Sequence, residues 1–451
     1  MQDSVTEIID TSPIFTSDTF VFGLLMICLG IVFYTSSRKK GFWSSFYKIV
    51  PALFMAYIIP SFLTTAGVIA PDWISVSESG EAVKESSNIY YIASRYLLPA
   101  ALVLMTLSID LKGVFNLGPK ALIMFFTGTV GIIIGGPIAV LIVGTISPDI
   151  IATPLTPIPE AGQFNDVWRG LSTLSGSWIG GGANQTAMLE VYSYNQKLYG
   201  GMVFVDILVA NIWMAIILIG IGKSAKIDKW LKADTSAIER LKEKMSTFSE
   251  KVSRNPSLTD LMILLAIAFG AVGFAHFGSE ILGGMFDSFV NGLPEGLTRN
   301  VFTFLSSRFF WMITLATLMG ILLSFTKARN YEGAGASKIG SVFIYILVVS
   351  IGMKMDLMLF FENKGLIFIG FIWMLIHAAL LIGVAKLIRA PYFFLAVGSQ
   401  ANVGGAASAP IVASAFHPSL ATVGVLLAVL GYAIGTVGAV ACTIMMQIVS
   451  A

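Results

Sequence analysis

The sequence predicts an all-α polytopic membrane protein, on three observations: long apolar runs, sparse charge, and connecting segments that alternate between basic and acidic. Of 451 residues, 56% are hydrophobic and 12% charged, whereas a soluble domain carries about 25% charged residues. That density is too low to coat a water-facing surface. A net charge of +2 without a basic stripe argues against nucleic-acid binding. The two cysteines, Cys28 and Cys442, both lie inside apolar runs and read as lipid-buried thiols rather than a disulfide framework. Asp3, Glu7 and Asp10 precede the first run, where a signal peptide would carry basic residues, so that run reads as a retained helix.

A spanning helix needs about 20 mostly apolar residues. Runs of that kind fall at Phe20–Ser36, Ile49–Val68, Ile89–Ile109, Ala121–Ile146 and Met202–Gly222, then at Leu258–Phe277, Val301–Phe325, Ile339–Met355, Leu366–Ile388 and Ala421–Val449. Trp168–Tyr194 and Pro391–Phe416 are apolar but interrupted by glycine, serine and asparagine. Lysine and arginine mark cytoplasmic loops. Here they cluster at Arg38–Lys48, at Lys112 and Lys120, densely between Lys223 and Arg254, at Lys327–Lys338, and at Lys386 and Arg389. The intervening loops carry Asp72–Glu85, Asp149–Asp166 and Glu280–Glu295. Every basic loop falls on one side only if each interrupted segment enters and leaves the membrane on the same side. Parity therefore predicts two re-entrant hairpins; the rival arrangement is a pair of broken helices that cross.

The halves echo each other. Ser175-Gly176-Ser177-Trp178-Ile179-Gly180-Gly181-Gly182-Ala183-Asn184 aligns without a gap to Ser399-Gln400-Ala401-Asn402-Val403-Gly404-Gly405-Ala406-Ala407-Ser408. Ile109-Asp110-Leu111 likewise resembles Met355-Asp356-Leu357. With the parity above, residues 1–222 form a first repeat and 257–451 an inverted second one, each with five spans and a Gly-rich hairpin. Residues 223–256 form a charged cytoplasmic linker.

Backbone polar groups at membrane depth must be satisfied within the protein. A glycine-rich turn is tolerable there if it is buried or lines a wet cavity, and glycine lets a ligand approach the backbone. The arm after each turn starts with free N–H groups and a partial positive charge. Two such tips make a polar site suited to an anionic group. The candidate binding residues are Ser177, Gly180, Gly181, Gly182, Asn184, Gln185 and Thr186 from the first tip, and Ser399, Gln400, Asn402, Gly404, Gly405 and Ser408 from the second. Asp206 and Asn211 lie in the span between them. A charged residue within a span defaults to a functional candidate, so Asp206 is read as a proton or Na⁺ site. His276 and His377 lack metal-ligand spacing and read as hydrogen-bonded core histidines. No nucleophile elbow, phosphate-binding loop or zinc motif occurs, so neither an enzyme nor a nucleotide-driven pump is expected, and no cofactor beyond a coupling ion.

The tips Gly180-Gly181-Gly182-Ala183-Asn184 and Asn402-Val403-Gly404-Gly405-Ala406, with Asp206 between them, resemble the YjcL-like bacterial membrane proteins, a family near the sodium–glutamate, 2-hydroxycarboxylate and bile-acid symporters in fold. The resemblance implies an elevator-type secondary transporter of the bacterial inner membrane, usually a homodimer, whose hairpin-bearing domain moves against a scaffold. The long amides Gln185 and Gln400 depart from that pattern, so glutamate or citrate specificity does not carry over. The expected function is Na⁺- or H⁺-driven transport of a small polar, anionic organic solute. A cation–proton antiporter resting on Asp206 and a non-transporting scaffold or sensor are the alternatives.

Overall fold

In a computed structural model, the structure describes residues 11–47, 50–76, 82–108, 114–238 except Asn116 and Ala237, 256–359, 364–417 and 420–450. Asp110, with the Ile109-Asp110-Leu111 motif, and most of the basic linker lie outside these residues. The described residues are mostly helical. The principal helices are α1 (Asp18–Ser36), α2 (Ala52–Thr65), α3 (Ile89–Leu107), α4 (Pro119–Ile146), α5 (Val167–Val191), α6 (Tyr199–Ile221) and a short α7 (Ser224–Leu231). They continue as α8 (Leu258–Asn291), α9 (Arg308–Ser324), α10 (Ala336–Gly352), α11 (Gly365–Leu387), α12 (Tyr392–Val403), α13 (Gly405–Phe416) and α14 (Ala421–Val449). Among the described residues, seven helices are long and apolar enough to cross a membrane: α1, α3, α4, α6, α8, α11 and α14. The predicted runs at Ile49–Val68, Val301–Phe325 and Ile339–Met355 form the shorter helices α2, α9 and α10.

Three details depart from the sequence reading. Helix α8 has 34 residues, running well past Phe277 to Asn291. Its small residues Ala268, Ala271, Ala275, Ser279 and Gly283 recur along the buried face, while Phe274, Phe277, Ile281, Met285 and Phe289 point outward. The same periodicity continues beyond the strongly apolar stretch, and a reciprocal capping box between Ser257 and Asp260 starts the helix. The Val301–Phe325 run breaks at Ser307, whose side chain caps α9 by accepting from the Phe310 N–H at 3.2 Å. The acidic loop after α2 contains an antiparallel hairpin, β1 (Asp72–Val76) with β2 (Ala82–Ser86), pairing Asp72 with Ser86 and Val76 with Ala82.

The helices pack as two bundles. One comprises α1, α2 and α3 with α8, α9 and α10; the other comprises α4, α5 and α6 with α11, α12, α13 and α14. Small residues bring the second bundle's backbones together. A Cβ on Gly131 would lie 3.1 Å from the His377 Cα, and one on Gly435 would lie 2.7 Å from the Gly180 Cα. Helix α4 thus packs on α11, and α14 on α5, at backbone distance.

The two interrupted segments are helical hairpins. Helix α5 breaks at Gly181, with φ 73° and ψ −173°, a conformation open to glycine and strained for other residues. An unbroken helix of 25 residues would hold its ends about 37 Å apart at 1.5 Å per residue. Instead the flanks pair: the Phe164 N–H donates to the Ser193 carbonyl at 2.9 Å, and the Asn195 N–H to the Phe164 carbonyl at 2.8 Å. The second segment turns at Gly404 and Gly405, the latter at φ 54°. Its ends meet through Phe393 and Phe416, whose ring centroids lie 5.2 Å apart.

Close contact between hairpin arms makes a stability prediction. A Cβ on Gly176 would sit 2.6 Å from the Asn184 carbonyl oxygen of the opposite arm, whereas one on Gly23 in α1 meets nothing within 4 Å. Gly176→Ala is expected to cost about 1–3 kcal/mol through overpacking, while Gly23→Ala leaves stability unchanged or slightly raised. Thermal unfolding of the purified variants in detergent checks this; equal midpoints would show that the arms are not in contact.

Candidate functional site

The two hairpins meet at their tips. A Cβ on Gly405 would lie 3.8 Å from the Gly181 Cα, so the two glycine turns adjoin. Between the two bundles, at this junction, lies a cavity of about 360 Å³. The second bundle lines it with Ser177, Gly181, Gly182, Gln185, Asp206, Asn211, Gln400, Gly404, Gly405 and Ser408. The first bundle contributes Leu53, Met105, Ser341, Ile344 and Tyr345.

Asp206 is buried on α6, and its carboxylate is held by one hairpin. Oδ1 accepts from the indole Nε1–H of Trp178 at 2.6 Å. Oδ2 accepts from the Ser177 hydroxyl at 2.8 Å and from Gln185 Nε2 at 3.1 Å. Ser177 and Trp178 precede the Gly181 turn and Gln185 follows it, so one carboxylate joins both arms. Three donors on two oxygens stabilise a negative charge without a neighbouring lysine or arginine. Asn211 lines the same cavity; its Nδ2 donates to the Ile207 carbonyl at 2.7 Å within its own helix.

Gln400 is the counterpart on the second hairpin. Its Oε1 accepts from the Ser408 hydroxyl at 2.9 Å across the turn. Its Nε2 is buried without a hydrogen-bond partner, while the residue as a whole is 1% exposed and lines the cavity. Gly404 allows this bridge, since a Cβ there would lie on the Ser408 hydroxyl.

The remaining predicted site residues take different places. Asn184 donates from Nδ2 to the Gly180 carbonyl at 2.9 Å and accepts at Oδ1 from Thr436 of α14 at 2.6 Å. Asn402 donates to the Gly398 and Phe125 carbonyls at 2.9 and 3.0 Å and accepts from Thr129 of α4 at 2.8 Å. Thr186 bonds back to the Gly182 carbonyl at 3.0 Å. Gly180 packs on Gly435. Ser399 sits in a relay: the Trp213 Nε1–H donates to its hydroxyl oxygen at 2.8 Å, and the hydroxyl is 2.9 Å from His377 Nε2. His377 Nδ1 faces the Gly128 carbonyl at 3.0 Å. A carbonyl only accepts, so Nδ1 carries the proton and Nε2 accepts from Ser399. None of these five residues lines the cavity, and all but Thr186 tie the hairpins to neighbouring helices.

Three polar cavity residues were absent from the sequence reading: Tyr432 of α14, with Ser341 and Tyr345 of α10. Trp178 appeared there only as a letter in the repeat. An indole N–H in a segment of small residues needs an acceptor, and Asp206 is the acid of the next span, so that pairing was findable. Glu190, at the base of the first hairpin, is bound by the Tyr90 hydroxyl, by Arg95 at 2.8 Å and by Gln196 at 3.1 Å. Among the described residues no group of three or more metal-ligating side chains occurs.

Helices of spanning length and two glycine-turned hairpins beside a cavity define a polytopic helical membrane protein. The chain belongs to the family described as "Protein of unknown function (DUF819)", whose model matches residues 23–449. It is also 25% identical over 360 residues to the "Uncharacterized membrane protein YjcL" of Bacillus subtilis (strain 168), covering 77% of this chain and 81% of that protein. The resemblance to the YjcL-like proteins is thereby borne out.

The division between anchoring and cavity-lining residues is testable. Asn184→Leu and Asn402→Leu each strip partners from a threonine hydroxyl and buried carbonyls, and are expected to cost about 1–3 kcal/mol. Gln400→Leu removes one hydrogen bond, from Ser408, and an amide nitrogen that has no partner, and should cost less than either. Unfolding midpoints in detergent give the order; a Gln400→Leu protein less stable than Asn402→Leu would reverse the assignment.

Proposed function

We propose that the protein is a secondary active transporter of the bacterial inner membrane, carrying a small polar organic solute with an anionic group and driven by Na⁺ or H⁺. The observation that carries this reading is the cavity between the two bundles, walled on one side by both hairpin tips and Asp206. A site at the boundary of two bundles becomes accessible from alternate sides if one bundle moves against the other. The bundle holding α4, both hairpins, α6, α11 and α14 is the moving part, and the bundle of α1–α3 and α8–α10 is the scaffold. Each bundle draws equally on the two halves of the chain, which is what an inverted repeat of residues 1–222 and 257–451 would produce.

Asp206 is the coupling group in this scheme. Among the described residues it is the only formally charged side chain that lines the cavity. A proton or a cation at Oδ2 would neutralise that charge and alter the carboxylate's grip on Ser177 and Gln185. These side chains belong to opposite arms of the first hairpin, so ion occupancy would reach the tip directly. A non-transporting scaffold would leave the cavity and its paired tips without a role.

Reconstituted proteoliposomes test the proposal. Solute accumulation is expected to require an imposed Na⁺ or proton gradient, and Asp206→Asn should reduce accumulation to simple equilibration while the protein still folds. Undiminished gradient-driven accumulation by Asp206→Asn would place coupling elsewhere. Sidedness is checked separately: Ser236→Cys, in the linker, should resist an impermeant thiol reagent in intact cells, and labelling there would reverse the proposed topology.

A further inference from the structure

Resting on that transport reading, we infer that the solute is a small aliphatic monocarboxylate whose single carboxylate is received by Gln400 Nε2 and the N-terminus of α13. The first support is an unmet donor. Gln400 is 1% exposed, its Oε1 is engaged by Ser408, and its Nε2 has no partner. A buried, unpaired amide N–H₂ costs free energy unless something accepts from it. Gln400 lines the cavity, so a ligand there can supply the missing acceptor once the buried Nε2 turns toward it.

The second support is the backbone beside it. Helix α13 runs for 12 residues from Gly405, and no side chain caps its start. Its first N–H groups therefore lack intrahelical partners at the cavity. The arm that follows Gly181 starts at the same junction. Each helix N-terminus carries about half an elementary charge. Two of them together offset about one negative charge, and a carboxylate is the group whose two oxygens can use an amide and backbone donors at once.

The third support is the charge count. Among the described residues no basic side chain lines the cavity, and the one acid there, Asp206, already takes three donors from the first hairpin. A second carboxylate on the solute would thus find no cationic partner and would face Asp206. The rest of the wall, including Leu53, Met105, Ile207, Met214, Ile344 and Val403, is apolar. One anionic end and an aliphatic body match this wall; a di- or tricarboxylate does not.

The test uses the purified full-length protein in detergent with 100 mM NaCl as a ~0.1 M ionic background. Thermal stabilisation is titrated with the straight-chain monocarboxylates from propionate to hexanoate and with the dicarboxylates of the same lengths. At least one monocarboxylate is expected to bind at least tenfold more tightly than its dicarboxylate. Gln400→Leu should weaken that binding tenfold or more, and Gln400→Asn, which keeps the amide on a shorter stem, should weaken it less. Tighter binding of a dicarboxylate, unchanged affinity in Gln400→Leu, or no response to any of the monocarboxylates would overturn the inference. The transport reading fails separately, if proteoliposomes show no saturable flux of a solute that does bind.

Discussion

A carboxylate placed among apolar helices must find donors or be neutralised, and Asp206 finds three on one hairpin. Because Ser177 and Trp178 precede the Gly181 turn and Gln185 follows it, satisfying the charge also closes the turn. The tip's position relative to α6 follows from that closure, and so does the wall of the cavity. Helix α6 reaches the second hairpin as well, through Trp213 and the Ser399 hydroxyl. One helix thus supports both hairpins by polar contacts about two turns apart, one to a charge and one to a neutral relay. The two attachments differ in consequence. Neutralising Asp206 would loosen its grip on the first hairpin, whereas the Trp213–Ser399–His377 relay has every donor matched to an acceptor and holds the second.

Breaking a helix at membrane depth frees backbone carbonyls and N–H groups, and the asparagines show how the cost is met. Asn184 and Asn402 sit at different places in their hairpins, one after the turn and one before it. Each nonetheless donates to a carbonyl four residues back and accepts a threonine hydroxyl from a long neighbouring helix. The neighbouring helices can come that near only because of glycine. Around Gly180 and Gly435, an added methyl would meet the Asn184 amide. The glycines therefore serve two physical ends: positive φ at Gly181 and Gly405, and backbone approach at Gly131, Gly180 and Gly435.

Much of this was readable from composition and periodicity. Apolar runs located ten helices, because span length is set by bilayer thickness and not by tertiary context. Charge parity favoured hairpins over broken crossings, and the adjoining ends of α5 have the hairpin geometry. Glycine and amide residues pointed to the tips. What remained hidden was which amides face the cavity. Asn184 and Gln185 are adjacent in the chain, yet the helical turn of about 100° per residue directs one to Thr436 and the other to Asp206. Tyr345 and Ser341 were illegible for a different reason: they belong to the opposite bundle, and nothing in their local sequence distinguishes them from other polar residues on a packed span.

The polar contacts between the bundles are placed unevenly, and that bears on how such a molecule could move. At the base of the first hairpin, Glu190 receives Tyr90, Arg95 and Gln196, with the Lys354 ammonium 4.6 Å from the centre of the Tyr90 ring. Tyr90 and Arg95 belong to the first bundle and Glu190 to the second, so this cluster ties the two together. Its carboxylate is mostly buried, and separating it from Arg95 would leave a charge without its partner, a cost of about 3–5 kcal/mol when fully desolvated. Around the cavity, by contrast, the first bundle offers mainly Leu53, Met105, Ile344 and Tyr345, which can slide past the tips without breaking ion pairs. Pro51 and Ser341 at its margin adjoin the basic segments in sequence, whereas the Glu190 cluster adjoins the acidic ones. In the proposed elevator motion, the interface is therefore pinned by charge on the acidic side and smooth at the cavity. The barrier to exchanging access would lie chiefly in releasing Glu190, and bound solute would need to lower that barrier indirectly, through the hairpin that carries Glu190 at its base and the Asp206 contacts near its tip.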